Sequence, residues 1–307
     1  MMVNKDEVCI LIPTLNEDLT IGELIREFRE LGYSHILVID GNSTDNTVKV
    51  SRESGAIVRT QSGKGKGNAI IEAFEIIEQP YILMLDGDGT YSPDDAEKML
   101  IPLFSGFDQV IGNRLIDAQE GSFSHLNLFG NHLVNYLFKV AHSRDLHDVL
   151  SGYRAFTRSA IHQMNLKQKG FEIETEISVE SVRNGQRVTV VPVKYSPRPG
   201  TTTKLSPFHD GVKIVSTIYR LARVNNPLFY FGMIGVFTSF LGVLTGIYVL
   251  YEWLQGIDHI PLTILTVLLI VVGIEIFMFG MISDMLLIFH RETIREIQIL
   301  QGQKPPK

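Results

Sequence analysis

Short apolar runs separated by helical patterns fill the first third of the chain. Val8–Ile12, Ile36–Ile39, Ala56–Arg59 and Tyr81–Leu85 read as strands, and the stretches near Ile21–Leu31, Asp45–Ser54 and Gly67–Ile77 read as helices. Strands alternating with helices of about ten residues predict βαβ units and a largely parallel sheet. Ligands of such sheets gather beyond the strand C-termini. Polar residues able to carry chemistry stand there: Asn16 and Glu17 after the first strand, Asp40 after the second, Asp86 and Asp88 after the fourth.

Farther on the pattern changes. From Ser122 to Ala141 the residues Phe123, Leu126, Phe129, Leu133, Tyr136, Leu137 and Val140 recur at helical spacing, which predicts an amphipathic helix that packs on the sheet or lies in a bilayer interface. Gln109–Ile111, Val188–Val191 and Val193–Tyr195 read as further strands, and the Pro- and Thr-rich stretch Ser196–Pro207 as a loop. Leu228–Leu254 and Pro261–Phe289 are each long enough to cross a hydrocarbon core, which takes about 20 residues. The short link Gln255–Ile260 makes them a helical hairpin. Arg220 and Arg223 precede the first span, Arg291 and Arg295 follow the second, and the link holds Asp258 but no Lys or Arg. The positive-inside rule then puts both termini in the cytosol. Glu275 and Asp284 fall in or near the second span, where a carboxylate needs a partner. A helix–helix or subunit contact fits them, and with it a homo-oligomer formed through these helices.

Composition narrows the partners. A net charge of −6 over 307 residues gives no case for nucleic acid, which usually meets a basic domain. The single Cys9 excludes an internal disulfide, and its apolar run predicts a buried thiol in a reducing compartment. The polar stretch Met1–Glu7 leads into an apolar run soon closed by Pro13, too short for a signal-peptide core, so the domain is expected to stay cytosolic.

The pair Asp86-Gly87-Asp88 is the strongest chemical signal. On an extended segment both carboxylates would point to one side, with Gly87 and Gly89 permitting close approach of phosphate and metal. Mg²⁺ or Mn²⁺ takes such hard oxygens together with substrate phosphates and would stabilise a departing nucleoside diphosphate. An ordinary acidic turn is the plain alternative. Gly65-Lys66-Gly67 at a helix start can offer backbone N–H groups and a cation to a diphosphate. Arg114 closes the strand Gln109–Ile111, while Arg198 and Lys204 stand in the Pro/Thr loop before the membrane. These cations suit an acceptor phosphate at a bilayer surface, against the alternative of solvated surface charges.

Six segments raise these fragments to a pattern: VCILIPTLNE at Val8–Glu17, VIDGNSTDNT at Val38–Thr47, SGKGKGNA at Ser62–Ala69, LMLDGDGTY at Leu83–Tyr91, IGNR at Ile111–Arg114 and DVLSGYRAF at Asp148–Phe156. In order and spacing they resemble inverting glycosyltransferase family 2, and within it dolichyl-phosphate mannose or glucose synthases such as the archaeal enzymes that charge dolichyl phosphate for protein N-glycosylation. The resemblance covers roughly Val8–Lys204, and the two-span tail is similar to that of membrane-anchored members.

That resemblance implies an α/β fold of GT-A type, a mixed, mostly parallel sheet with helices on both faces, followed by a two-helix transmembrane hairpin. It divides the chain into a cytosolic transferase domain (1–210), a juxtamembrane connector (211–227), spans 228–254 and 261–289, and a cytosolic tail (290–307). It puts Pro13, Asn16, Glu17, Asp40, Lys66, Gly67, Asp86, Gly87 and Asp88 around a nucleotide sugar, with Asp40 on the base. Asp86 and Asp88 would hold Mg²⁺ or Mn²⁺, and Arg114, Arg198 and Lys204 an acceptor phosphate. Asp148 falls where relatives with hydroxyl acceptors place a catalytic base. A phosphomonoester, whose second pKa is about 6, arrives ionised and needs no such base. Many relatives have Asp-Asp-Gly-Ser where this chain has Asp40-Gly41-Asn42-Ser43, which leaves the second position without a role. Arg154, Glu172, Glu174 and Glu176 suit either substrate contacts or internal salt bridges.

The expected partners are a nucleotide-sugar donor (UDP-glucose, UDP-N-acetylglucosamine or GDP-mannose), dolichyl or another polyprenyl phosphate, and a lipid bilayer. A processive polysaccharide synthase would need a Gln-x-x-Arg-Trp element, yet the sole tryptophan is Trp253 in the first span. A sugar nucleotidyltransferase would need a Gly-rich, Arg-bearing N-terminal signature that is absent. An inactive membrane scaffold would not need Asp86, Asp88, Lys66 and Arg114 intact.

Overall fold

The computed structural model of the protein describes residues 3–119, 121–199, 211–219 and 226–300. It divides into two units, Met1–Lys139 with Ser143–Ile218, and Val140–His142 with Tyr219–Lys307. The first is built on strands β1 (Val8–Thr14), β2 (His35–Asp40), β3 (Ile57–Thr60), β4 (Tyr81–Met84), β5 (Gln109–Ala118), β6 (Arg154–Thr157) and β7 (Val188–Tyr195). They form a sheet ordered β3-β2-β1-β4-β6-β5-β7. Only β6, antiparallel to both β4 and β5, runs against the rest, so the sheet is mixed and mostly parallel.

Alternation along β1 explains the layering. Val8, Ile10 and Ile12 join one buried cluster with Ile21, Leu24, Ile25 and Phe28 of α1 (Ile21–Glu30) and Met99, Leu100 and Leu103 of α4 (Ala96–Phe104). Cys9 and Leu11 join the other, with Ile70, Ala73 and Phe74 of α3 (Lys66–Ile76) and Ile173 and Ile177 of α7 (Ile173–Arg183). A strand buried on both faces reads as a continuous apolar run, and each large side chain so buried contributes about 1.5–3 kcal/mol. The remaining helices of the unit are α2 (Thr47–Glu53), α5 (His125–His142), α6 (Arg158–His162) and α8 (211–219). Ile214 and Ile218 of α8 are buried, and both belong to the first unit.

Two strand expectations and one about a helix face need correction. β5 does not close at Ile111; it continues to Ala118 with Arg114 inside it. Val188–Val191 and Val193–Tyr195 are one strand through Pro192, tolerated because β7 is an edge strand and the β5–β7 register shifts beyond Asn113 and Pro192. The apolar stripe of α5 does not pack on the sheet: Leu126, Phe129, Leu133, Tyr136 and Val140 are exposed, while Val134, Phe138 and Ala141 between them are buried.

The second unit holds α9 (Pro227–Leu254) and α10 (Ile260–Leu300), both long and apolar enough to cross a membrane. Glycine lets their backbones approach: a Cβ on Gly235 would lie 2.5 Å from the Gly273 carbonyl oxygen and 2.8 Å from Phe277 N. The Thr266 hydroxyl donates across the pair to Thr245 Oγ1 at 3.1 Å. The helix of the second span continues well past Phe289, to Leu300.

Candidate active site

The strand order reverses between β1 and β4, and there the two strands part. β1 is paired with β4 only as far as Leu11, and Pro13, which has no N–H to offer, falls just beyond. Such a switch point opens a crevice at the strand C-termini. The loops after β1 and β2 line one wall by clasping each other. Asn16, at φ 50°, donates its N–H to Ser43 Oγ at 2.8 Å and accepts the Thr44 N–H at 2.8 Å. The Glu17 N–H donates to Thr47 Oγ1 at 2.8 Å. Asp40 accepts the N–H groups of Asn42 (3.0 Å) and Ser43 (3.1 Å) and is 2% exposed. It shapes this wall by bracing its own loop.

Asp86 and Asp88 form the other wall. β4 ends at Met84, so the pair is carried on a turn and not on the extended segment expected from the sequence. The turn is pinned by the Leu85 N–H on Leu11 O (3.1 Å) and by the Thr20 hydroxyl on Gly87 O (2.6 Å). Gly87 sits in a tight space, since a Cβ there would come within 3.1 Å of Thr14 Oγ1 and 3.2 Å of Ile12 Cγ2. Gly152 serves Asp86 in the same way: a Cβ would lie 2.5 Å from Asp86 Oδ2.

Each aspartate carries its own cation. Lys66 Nζ pairs with Asp86 Oδ1 and with Glu174 Oε1, the latter at 2.6 Å. Burial pulls the Lys66 pKa down, but Asp86 and Glu174 outweigh it and hold the ammonium above its usual value. Arg198 pairs through Nη2 with Glu17 Oε1 and stands 3.6 Å from Asp88 Oδ2 through Nη1. Asp88 Oδ1 accepts the Thr90 hydroxyl at 2.6 Å. Among the described residues, four carboxylates meet two cations in these pairs.

The Gly65-Lys66-Gly67 turn departs from expectation. The N–H groups of Gly67 and Asn68 donate to Lys169 O at 3.0 and 3.4 Å, so these donors of α3 serve the protein and not a diphosphate. A Cβ on Gly67 would meet the Gln168 backbone, with its carbonyl carbon 2.9 Å away. The facing segment is tied down by α7: Glu176 accepts the N–H groups of Lys167 (2.9 Å) and Gln168 (2.8 Å), and Glu180 that of Asn165 (3.0 Å). Glu176 is thus a structural anchor, while Glu174 on the same helix reaches Lys66.

Asp148 is 0% exposed and grips Arg114 from both sides, accepting Nε at 2.8 Å and Nη2 at 2.7 Å as well as the Arg114 N–H at 3.1 Å. A carboxylate so enclosed is Arg114's counter-ion. Burial lowers the Arg114 pKa, and Asp148 more than restores it. The guanidinium lies 5.7 and 5.4 Å from the ring centroids of Phe123 and Tyr195, and Asp148 leaves its Nη1 edge unused. Arg154, a suggested substrate contact, is sealed at 0% exposure and donates to Val149 O (2.6 Å), Ser151 O (2.8 Å) and Ser178 Oγ (3.0 Å). Burial pulls its pKa down to about 10. It braces the loop that carries Asp148 and Gly152. Lys204 lies outside the described residues.

Sequence reasoning missed the parts played by Gly152 and Tyr91, whose hydroxyl accepts the Gly152 N–H at 3.0 Å. Both sit inside the quoted motifs, but no spacing says that they meet. Among the described residues no group of three His, Cys, Asp or Glu is placed to hold a metal.

Most of the chain is similar to known proteins. The family model described as "Glycosyl transferase family 2" matches residues 9–164. "Glycosyltransferase AglJ" of Haloferax volcanii is 46% identical over 98% of this chain and 100% of its own. The "Dolichyl-phosphate hexose transferase" of the same organism is 28% identical, over 70% of this chain and 94% of that protein. Among solved structures, glucosyl-3-phosphoglycerate synthase from Mycobacterium tuberculosis, crystallised with Mn²⁺, uridine diphosphate and phosphoglyceric acid, shares the fold. Its TM-score is 0.57 at 19% identity, over 70% of this chain and 78% of that one.

Proposed function

The chain belongs to glycosyl transferase family 2, and from that premise we propose that it moves a single hexose or N-acetylhexosamine, with inversion, from a nucleotide sugar to dolichyl or another polyprenyl phosphate. The product would feed protein N-glycosylation or another lipid-linked glycan. The observation that carries this reading is the enclosure of Asp148 by Arg114. A sugar hydroxyl would need a base in the transition state, whereas a phosphomonoester with a second pKa of about 6 is already largely ionised at neutral pH. An acceptor that arrives as an anion needs cations, and Arg114 keeps one edge of its fork to offer.

Asp86 and Asp88 would hold Mg²⁺ or Mn²⁺ together with the donor's diphosphate, since carboxylate oxygens in an acidic cluster suit a divalent ion. When bound, the ion offsets charge on the departing nucleoside diphosphate. The protein's own part is positioning: the clasped loops after β1 and β2 cradle the nucleotide, Lys66 faces the diphosphate side, and Arg114 and Arg198 orient the acceptor phosphate for attack on the anomeric carbon. α9 and α10 support a membrane site, as does the exposed apolar face of α5, which suits a bilayer surface. The arginines flanking the spans support cytosolic termini.

Membranes holding the protein, incubated with labelled UDP-glucose, UDP-N-acetylglucosamine or GDP-mannose and dolichyl phosphate, test the proposal. Label should pass to the organic phase with one donor. No organic-phase label with any of them would overturn the lipid acceptor.

A further inference from the structure

Arg198 is expected at the acceptor phosphate, and its guanidinium stands between Glu17 and Asp88, two residues that the reading above puts around the donor. Its backbone is anchored nearby: Tyr195 pairs with Ala118, and the Ser196 N–H donates to Thr90 O at 2.9 Å. The long side chain, not the strand, is the part able to move. Its posture is also incomplete. Nε is buried and makes no hydrogen bond among the described residues, an omission that marks a guanidinium not in its best-satisfied setting. Asp88 is a ligand for the metal-bound donor in the reading above, so the donor complex and Arg198 compete for one carboxylate.

We infer that Arg198 is handed over during the reaction cycle. Without donor it neutralises Asp88 while tethered to Glu17; binding of the metal–diphosphate at Asp88 removes that partner, and the released fork turns to the acceptor phosphate. Glu17 is then a positioning residue that keeps Arg198 at the crevice, and the acceptor binds after the donor. This rests on the proposed transfer and adds an order to it. Lys66 does not share the role, because buried Glu174 holds it whether or not Asp86 is engaged elsewhere.

Two binding measurements on the full-length protein in nanodiscs test the hand-over, with Mn²⁺–UDP as the donor-side probe and dolichyl phosphate as the acceptor. Arg198→Ala should bind Mn²⁺–UDP about three- to tenfold more tightly than the unaltered protein, since a competing ion pair is gone. Its transfer rate should nevertheless fall about 100-fold, with the acceptor KM raised. Arg198→Lys should restore unaltered Mn²⁺–UDP affinity but little of the transfer, because an ammonium lacks the fork. Dolichyl phosphate should bind the unaltered protein more tightly when Mn²⁺–UDP is present. Weaker Mn²⁺–UDP binding by Arg198→Ala, or acceptor affinity indifferent to Mn²⁺–UDP, overturns the hand-over while leaving transfer in place. Absence of both transfer and nucleotide binding in the unaltered protein would instead bring down the proposed function.

Discussion

Replacing Gly152 by alanine adds one methyl group, and the structure says where it goes. The new Cβ would stand 2.5 Å from Asp86 Oδ2, 3.1 Å from Cγ and 3.2 Å from Oδ1. Ordinary contact begins at about 3.5 Å, so the carboxylate would have to withdraw by about 1 Å. It is not free to do so, because Lys66 holds Oδ1 and Glu174 holds Lys66. Gly152 is not among the positive-φ glycines, so alanine introduces no backbone strain and the effect stays on Asp86. A displacement of about 1 Å in a positioning group can cost about 100-fold in rate, whereas overpacking of this kind costs about 1–3 kcal/mol of stability. Gly152→Ala should therefore retain its fold, as read by thermal unfolding, while initial-rate sugar transfer collapses and more Mn²⁺ is needed for half-maximal rate. Gly130→Ala in α5 is the control, since its Cβ would meet nothing within 4 Å and it should gain about 0.5–1 kcal/mol. Turnover in Gly152→Ala equal to that of the parent would show that the position of Asp86 does not govern catalysis.

Asp148→Asn should destabilise the protein by about 3–5 kcal/mol in denaturant titration, because buried Arg114 loses its counter-ion. Its residual activity should keep a pH profile that rises with acceptor ionisation near pH 6 (about 6); disappearance of that acidic limb would make Asp148 the base after all. Gly67→Ala should push the Gln168–Lys169 backbone away from the start of α3, lowering both melting temperature and transfer, and neutrality in both assays would refute that close approach. Cys9 should resist alkylation at pH 8 until the protein unfolds, since burial pushes its thiol up to about 12. The thiolate forms in the unfolded chain from about pH 8.5, so the associated stability is full below that pH and lost as pH rises towards the folded value. Labelling of native protein at the rate of a free thiol would contradict this.

The strands and helices of the first third were legible because their period is local. β1, buried on both faces, announces itself as a continuous apolar run, and Asp40 and Asp86 follow strand ends that any βαβ reading exposes. β5 reads short at Ile111 because its continuation gives no apolar signal: Asn113 and Arg114 are polar though buried, and no position from Leu115 to Ala118 is buried. The α5 stripe was legible as a helix but not as to its surroundings: periodicity marks an apolar face and says nothing of what covers it. Charge pairing was the least legible layer. Arg198 and Glu17 lie 181 positions apart, and Arg114 and Asp148 34 apart, so no spacing rule connects them. The motifs supplied the cast of ions, and only the fold supplied the matching.

That matching separates four cations that the sequence makes look alike. Arg154 is sealed and committed to backbone carbonyls, so it can do no more than hold the loop of Asp148 and Gly152 in place. Arg114 is fixed by a bidentate partner but retains an edge, which suits a group that must be in position before the acceptor arrives. Lys66 is doubly paired and held above its ordinary pKa, so it stays charged throughout and can let Asp86 turn to another cation without losing its own anchor. Arg198 alone combines a shared carboxylate with a buried, unsatisfied Nε among the described residues. Moving any of the other three would strand a buried charge, at a cost of several kcal/mol. Moving Arg198 exchanges one anion for another, which is why the step that couples the two substrates falls to the cation whose partners were hardest to read from the sequence.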